Sequence, residues 1–339
     1  MKVLVRLPNW LGDVAMSLPL LRTLQAHAEH LSLVVRVPYK PLVRDFGEVL
    51  AFQGYRDLAH LSWRLRPRRY DAGLVLPPSF SSALFLWLAA PRQRIGYASD
   101  FRSWLLTHRL PGPRGHRHYV QETLALLEPL GVPLPPWPPP PLRFWFSPYE
   151  EAEYRGRCRE ADLTPGAYVV LAPFAAFGSA KEWSVERFGQ VAHRLVKQGI
   201  PVVWVGGAGE AERLGPVPGL NWVGQTPLRF LVYLLQHAAL VIGNDSGVPH
   251  LADILGTPTL MIFGPTDPTW TRPLHGRFLV HTLSCSFCGA RECPLKHHGC
   301  MATITPEQVS AVALEMLRHD AARSPGGAPG PSRDPTPSG

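Results

Sequence analysis

Five short stretches of the chain carry residue types able to do chemistry at spacings that matter. The first, Leu7-Pro8-Asn9-Trp10-Leu11-Gly12-Asp13, follows a β-branched apolar run and opens a helical pattern. In an open α/β sheet, the turn after such a strand faces the ligand crevice. Gly12 permits close backbone approach, and a carboxylate at Asp13 suits a helix start. Projecting into a crevice lined also by Asn9 and Gly12, Asp13 would act as a general base on a hydroxyl nucleophile. As a helix cap it would do no chemistry.

The second stretch, Pro173 to Trp183, supplies small residues with open backbone N–H groups and then the point charge of Lys181, which suits a diphosphate. It lacks the spacing of a Walker A loop. The third, Val203 to Glu210, runs from a strand into a glycine turn, where Glu210 could accept hydrogen bonds from ribose hydroxyls. The fourth is the sharpest. Gly243-Asn244-Asp245-Ser246-Gly247-Val248-Pro249-His250 ends an apolar strand and begins a helix, so the amides of Ser246 and Gly247 form an anion site. Asp245 would repel phosphate unless its carboxylate rests on sugar hydroxyls or on Lys181. His250, one turn in, reads on its own as a core histidine, but beside Asp245, Ser246 and Gly247 it is counted with the donor-binding candidates.

The fifth stretch holds Cys285, Cys288, Cys293 and Cys300, with His297 and His298 before the last. Clustered cysteines without an export signal suggest a structural zinc, packed thiols or redox pairing, and the spacing follows no standard zinc pattern closely. Cys158 stands apart.

These stretches need elements to hold them. Strand-like runs at Val3–Leu7, Leu31–Val37 and Asp71–Leu76 alternate with helical spacing through Val14, Leu18, Leu21 and Gln25. The alternation resumes with strands at Tyr168–Ala172, Pro201–Val205, Ala239–Ile242 and Thr259–Phe263. Helical patterns at Val185–Gly199, Leu228–His237 and Val248–Leu255 fall between them. Two sets of βαβ units predict two doubly wound domains facing a central cleft. Seven prolines between Pro133 and Pro141 read as a stiff linker. It separates residues 1–150 from 151–320, and residues 321–339, rich in Pro, Gly and Ser, read as a disordered tail.

The 339 residues carry a net charge of +8, and residues 1–150, with 18 basic and 10 acidic side chains, hold all of the excess. Arg64, Arg66, Arg68, Arg69, Arg92, Arg94, Arg102, Arg109, Arg114 and Arg117 carry much of it, which points to an anionic partner or to a solvated arginine surface. Nucleic acid is disfavoured, because only Arg291 and Lys296 accompany the cysteines. A dinucleotide oxidoreductase is disfavoured because the GxGxxG fingerprint is missing from the first turn. The longest uncharged apolar run, Ala83–Ala90, has 8 residues, too few to span a bilayer. The N-terminus also makes no secretory signal, so a cytoplasmic location is expected.

Leu11-Gly12-Asp13, Ala180-Lys181-Glu182-Trp183, Gly207-Ala208-Gly209-Glu210 and Asn244-Asp245-Ser246-Gly247 with His250 together resemble the ADP-heptose:lipopolysaccharide heptosyltransferases. Gly264-Pro265-Thr266-Asp267-Pro268 and the segment ending Gly299-Cys300-Met301 extend the resemblance over residues 1 to about 318. It implies a GT-B-like fold, with the acceptor in the first Rossmann-like domain and the nucleotide-sugar in the second. It also implies an inverting transfer needing no metal for catalysis. Asp13 matches the family's base, Lys181 a diphosphate contact, Glu210 a residue near the ribose, and Asp245 an acid holding the donor sugar beside Ser246 and Gly247. The acceptor implied is a lipid-linked anionic glycan, met at the cytoplasmic membrane face; a different nucleotide-sugar or glycan acceptor is the alternative. Ala175-Ala176-Phe177 departs from the hydroxyl residues that some members place before the lysine. Trp63, Trp87 and Trp104 could stack on sugar or touch lipid, but core packing is expected for each.

Overall fold

The computed structural model describes residues 1–112 and 117–323. The first half runs β1 (Lys2–Arg6), α1 (Leu11–His27), β2 (His30–Arg36), α2 (Lys40–Val43), β3 (Glu48–Phe52), α3 (Tyr55–Leu65), β4 (Ala72–Val75), α4 (Phe80–Ala89), β5 (Gln93–Tyr97), β6 (His108–Leu110) and α5 (Tyr119–Ala125). The second runs α6 (Pro148–Glu160), β7 (Val169–Ala172), α7 (Val185–Lys197), β8 (Val202–Trp204), β9 (Leu220–Asn221), α8 (Leu228–Gln236), β10 (Leu240–Asn244), α9 (Gly247–Ile254), β11 (Thr259–Phe263), α10 (Pro268–Thr271), β12 (Arg277–Val280), α11 (Gly299–Ala302) and α12 (Pro306–Arg323).

Two six-stranded sheets result, ordered β3-β2-β1-β4-β5-β6 and β12-β11-β10-β7-β8-β9, and every pairing is parallel. Counted from its own first strand, the second sheet repeats the order of the first. Each therefore reverses direction once, between β1 and β4 and between β7 and β10. Ligands of open α/β sheets bind at the strand C-termini of that reversal.

Strand alternation sorts the core into layers. Val3 and Val5 point to the side where α1 packs, whereas Leu4 points to the opposite side with Leu58 of α3 and Phe85 of α4. In the second sheet, Val170 and Ala172 join the same apolar core as Val3 and Val5, while Val169 and Leu171 face α7 and α12. One core thus continues from one sheet to the other, and α1, buried along most of its length, lies within it.

The proline-rich stretch forms neither helix nor strand and lies against the second half. Leu142 N–H donates to the Ile254 carbonyl at 2.8 Å, and Phe144 N–H donates to Gln236 Oε1 at 2.9 Å. The expected core burial of three tryptophans is corrected: Trp63, Trp87 and Trp104 are all exposed. Each sits on the outer side of a helical turn whose inner side already fills the core beneath the first sheet. Arg102 departs from the expected basic surface as well. It is buried, donating to the carbonyls of Tyr97 and Pro77. Arg114 and residues 324–339 of the expected tail lie outside the described residues.

Candidate active site

Both reversal points open onto one cleft. Loops after β7 and β10 bring Lys181, Asp245, Ser246 and Gly247 to it, and the turn after β1 brings Gly12 and Asp13 from the other sheet. This cavity of about 530 Å³ is lined also by Glu210, His250, Tyr39, Thr266, Trp270 and Thr271. A neighbouring cavity of about 400 Å³ lies at the reversal point of the first sheet, lined by Asn9, Pro77, Ser79, Tyr97, Tyr119 and Thr123 among others. Trp10, Asp13 and Trp270 line both cavities. Asp13 therefore stands where they meet.

The helix-cap reading of Asp13 does not hold. Trp10 is the N-cap of α1, and Asp13 occupies the third helical position. Burial pushes its carboxyl up to about 6, with nearby His250 and Lys181 pulling the other way and Asp245 adding to the rise. That places its titration close to neutral pH, where a general base works best. Asn9, on the same turn, accepts from Arg6 Nη2 at 2.7 Å, which fixes the turn to the end of β1.

Asp245 is the hub of the second half. Its Oδ2 accepts from Lys181 Nζ at 2.5 Å and Thr266 Oγ1 at 2.6 Å. Its Oδ1 is 2.8 Å from His250 Nε2 and accepts from Thr271 Oγ1 at 3.1 Å. Burial alone would raise this carboxyl, but the hydrogen bond and charge of His250, with those of Lys181, outweigh it and hold Asp245 well below the usual range. A carboxylate offers about four acceptor sites, and four side chains fill them here. Of the two partners expected for Asp245, sugar hydroxyls or Lys181, the fold supplies the lysine.

Other contacts fix the loops around this hub. Asn244 accepts from Trp183 N–H at 3.0 Å and donates to the Pro173 carbonyl at 2.6 Å, tying the turn after β10 to the Lys181 loop. Ser246, the N-cap of α9, makes no side-chain cap bond, and with Gly247 it lines the cleft, so the helix start faces it. Glu210 reaches the cleft wall, where its Oε2 accepts from Gly207 N–H at 2.7 Å; burial raises its carboxyl.

The cysteine segment lies partly exposed beside the Lys181 loop. Among the described residues, no three His, Cys, Asp or Glu side chains come together to hold a metal ion. Cys285 Sγ lies 3.9 Å from His297 Nε2, but Cys288 points to solvent. No zinc site is formed among the described residues. Instead the segment braces the Lys181 loop: the Arg291 carbonyl accepts from Ala180 N–H at 3.0 Å, and its guanidinium covers the Phe177 ring at 5.3 Å. Lys181 lies 5.0 Å from the same ring.

Sequence reasoning named Thr266 within Gly264–Pro268 without giving it a role, and missed Trp270 and Thr271. Their available signal was position, since the segment follows β11, the neighbour of β10, at the same end of the sheet. Trp270 meets Tyr119 of the first half edge-on at 5.6 Å, and His118, whose Nε2 is 2.8 Å from the Arg272 carbonyl, closes the same junction. Burial lowers the His118 imidazole to about 4, so it is neutral and donates from Nε2.

Comparison with known proteins matches these features to a family. The profile of glycosyltransferase family 9 (heptosyltransferase) matches residues 58–298. Lipopolysaccharide heptosyltransferase 2 of Escherichia coli (strain K12) is 30% identical over 338 residues, covering 91% of this chain and 96% of the relative. Lipooligosaccharide heptosyltransferase 2 of Campylobacter jejuni serotype O:2 is 26% identical, covering 94% of this chain and 99% of its own length. The solved structure of E. coli ADP-heptose lps heptosyltransferase II superposes with a TM-score of 0.78 at 26% identity, covering 95% of this chain and all of that one.

Proposed function

The chain belongs to glycosyltransferase family 9, the heptosyltransferases, and we propose that it moves a heptose from ADP-heptose to a hydroxyl of a lipopolysaccharide inner core. Its fold is GT-B-like, and it is a glycosyltransferase. The observation that carries the proposal is Asp13, whose carboxyl lies at the junction of the two cavities.

The donor occupies the cavity of the second half. Lys181 and the amides of Ser246 and Gly247 meet the diphosphate, and Glu210 meets the ribose. Asp245 acts through others, holding Lys181 and His250 in place. The lipid-linked anionic acceptor enters the cavity of the first half, lined by Asn9, with Gly12 beside the base on the donor side of the junction. Asp13 takes the proton of the acceptor hydroxyl as its oxygen attacks the anomeric carbon. The bond from that carbon to the diphosphate oxygen breaks on the opposite face, and ADP leaves with the electron pair, inverting the centre.

The testing experiment is a calorimetric titration of ADP, UDP, GDP and NAD into the protein and into Lys181→Ala. ADP-selective binding that weakens in the variant supports the donor class. A preference for UDP or GDP moves the enzyme to another sugar, and binding of NAD alone overturns the reading.

A further inference from the structure

The outer face of the first half is unusually apolar and positively charged for a surface exposed to water. Helix α4, Phe80-Ser81-Ser82-Ala83-Leu84-Phe85-Leu86-Trp87-Leu88-Ala89, contains no charged residue. Its inner stripe, with Ala83, Leu86 and Ala89, fills the core under the sheet. Its outer stripe ends in Phe80 and Trp87, both exposed. The Phe80 ring lies 6.2 Å from Trp104, which is 62% exposed, and Phe101 on the same turn is 97% exposed. On the adjacent α3, Trp63 is 57% exposed, with the Arg66 guanidinium 5.8 Å from its ring.

Charge surrounds these rings. Residues 53–112 contain nine arginines, no lysine and three aspartates. Arg94 and Arg102 are used on backbone carbonyls, Arg68 on Glu48 and Arg92 on Asp71 at 3.9 Å, whereas Arg64, Arg66 and Arg69 are exposed, with Arg66 over the Trp63 ring. Of the aspartates, Asp57 accepts from the backbone N–H groups of Gln53 and Gly54, and Asp71 from that of Lys2. Aromatic side chains level with arginines form the pattern that settles at the headgroup layer of an anionic bilayer. Among the described residues no helix is long and apolar enough to cross a membrane, so this face would lie on a bilayer rather than span it.

Ser79, the N-cap of α4, lines the cavity that Asp13 borders, and Phe80 follows it directly. The aromatic face therefore begins at the mouth of that cavity. We propose that α3, α4 and the turn carrying Phe101 and Trp104 form a docking surface for an anionic phospholipid bilayer, seating the mouth of the acceptor cavity at the headgroups. This rests on the reading above that the acceptor is lipid-linked, but its test needs no sugar substrate.

The full-length chain is sedimented with vesicles of phosphatidylcholine alone or mixed with phosphatidylglycerol. Binding to the mixed vesicles, weakened by salt and absent from the neutral ones, is expected. The exposed changes Arg64→Gln with Arg66→Gln should lower the partition coefficient about tenfold or more. Trp63→Ser with Trp87→Ser should lower it comparably while thermal unfolding and ADP binding stay as in the parent. Equal sedimentation with neutral vesicles, or both variants sedimenting like the parent, would overturn the proposal. So would a protein dimer, detected by light scattering without lipid, that the tryptophan changes dissociate. Loss of vesicle binding with ADP affinity retained separates docking from the catalytic reading.

Discussion

A Cβ on Gly12 would stand 3.5 Å from the Cα of Gly247, so the first turns of α1 and α9 meet almost backbone to backbone across the cleft. A Cβ on Gly247 would fall 2.8 Å from that of Leu11. This approach brings Asp13 beside the N-terminus of α9. Gly247→Ala should push the two helices apart, costing about 1–3 kcal/mol of stability and at least tenfold in kcat/KM. Thermal unfolding and initial rates check both, and an unchanged rate would mean that the close approach is not needed for transfer.

Asp13→Asn keeps the shape of the side chain and removes the base. Transfer should fall by about 10²–10⁴-fold. ADP affinity, measured by calorimetry, should stay within twofold, because Asp13 faces the attacking side of the donor. Equal loss of rate and ADP affinity would remove Asp13 from the role of base.

The pH dependence follows from the same carboxyl, which burial raises to about 6. The base works only when ionised, so kcat/KM should be at its plateau well above pH 6. It should decline as pH falls through that value, with a limiting slope of one proton. The assignment fails if this limb remains in whatever residual activity Asp13→Asn retains.

Lys181 and Asp245 should behave as one unit, since Nζ and Oδ2 are 2.5 Å apart and both groups are largely buried. Lys181→Ala should weaken ADP binding by about 10–100-fold, the loss of a charge-assisted contact. Asp245→Asn should weaken it similarly, and the double change should cost much less than the product of the two. Additive losses in the calorimetric cycle would show that Asp245 contacts the donor independently.

Arg229 anchors α8 to the first half. It donates to Asp45 Oδ2 at 2.5 Å and pairs with Glu150 at 3.4 Å, while its guanidinium lies 4.8 Å from the Phe146 ring. Arg229→Ala strips a buried charge from two carboxylates, and roughly 2–4 kcal/mol of stability should go with it. A chemical denaturation curve measures this. ADP binding should persist below the new midpoint, because the cluster is remote from the cleft.

The local order of the chain was legible because it rests on neighbours in sequence. Apolar runs such as Tyr168–Ala172, next to amphipathic stretches such as Val185–Gly199, identify βαβ units, and glycines and small polar residues mark where each strand meets its ligand-side turn. That reasoning located Asp13, Lys181 and the turn at Asn244–Gly247 at strand ends before any contact was known. It did not decide which partner Asp245 would choose. Four side chains from the loop after β7, the helix α9 and the segment after β11 converge on its carboxylate, and their meeting depends on the register of parallel strands far apart in sequence. Nor could spacing show that Trp270 walls two cavities, that the cysteine segment braces a loop instead of gathering round a metal, or that Trp63, Trp87 and Trp104 stay outside. Periodicity fixes which side of a helix is apolar. Whether that side, or another, is covered depends on what volume the rest of the fold leaves for it, and volume is a property of the packed chain alone.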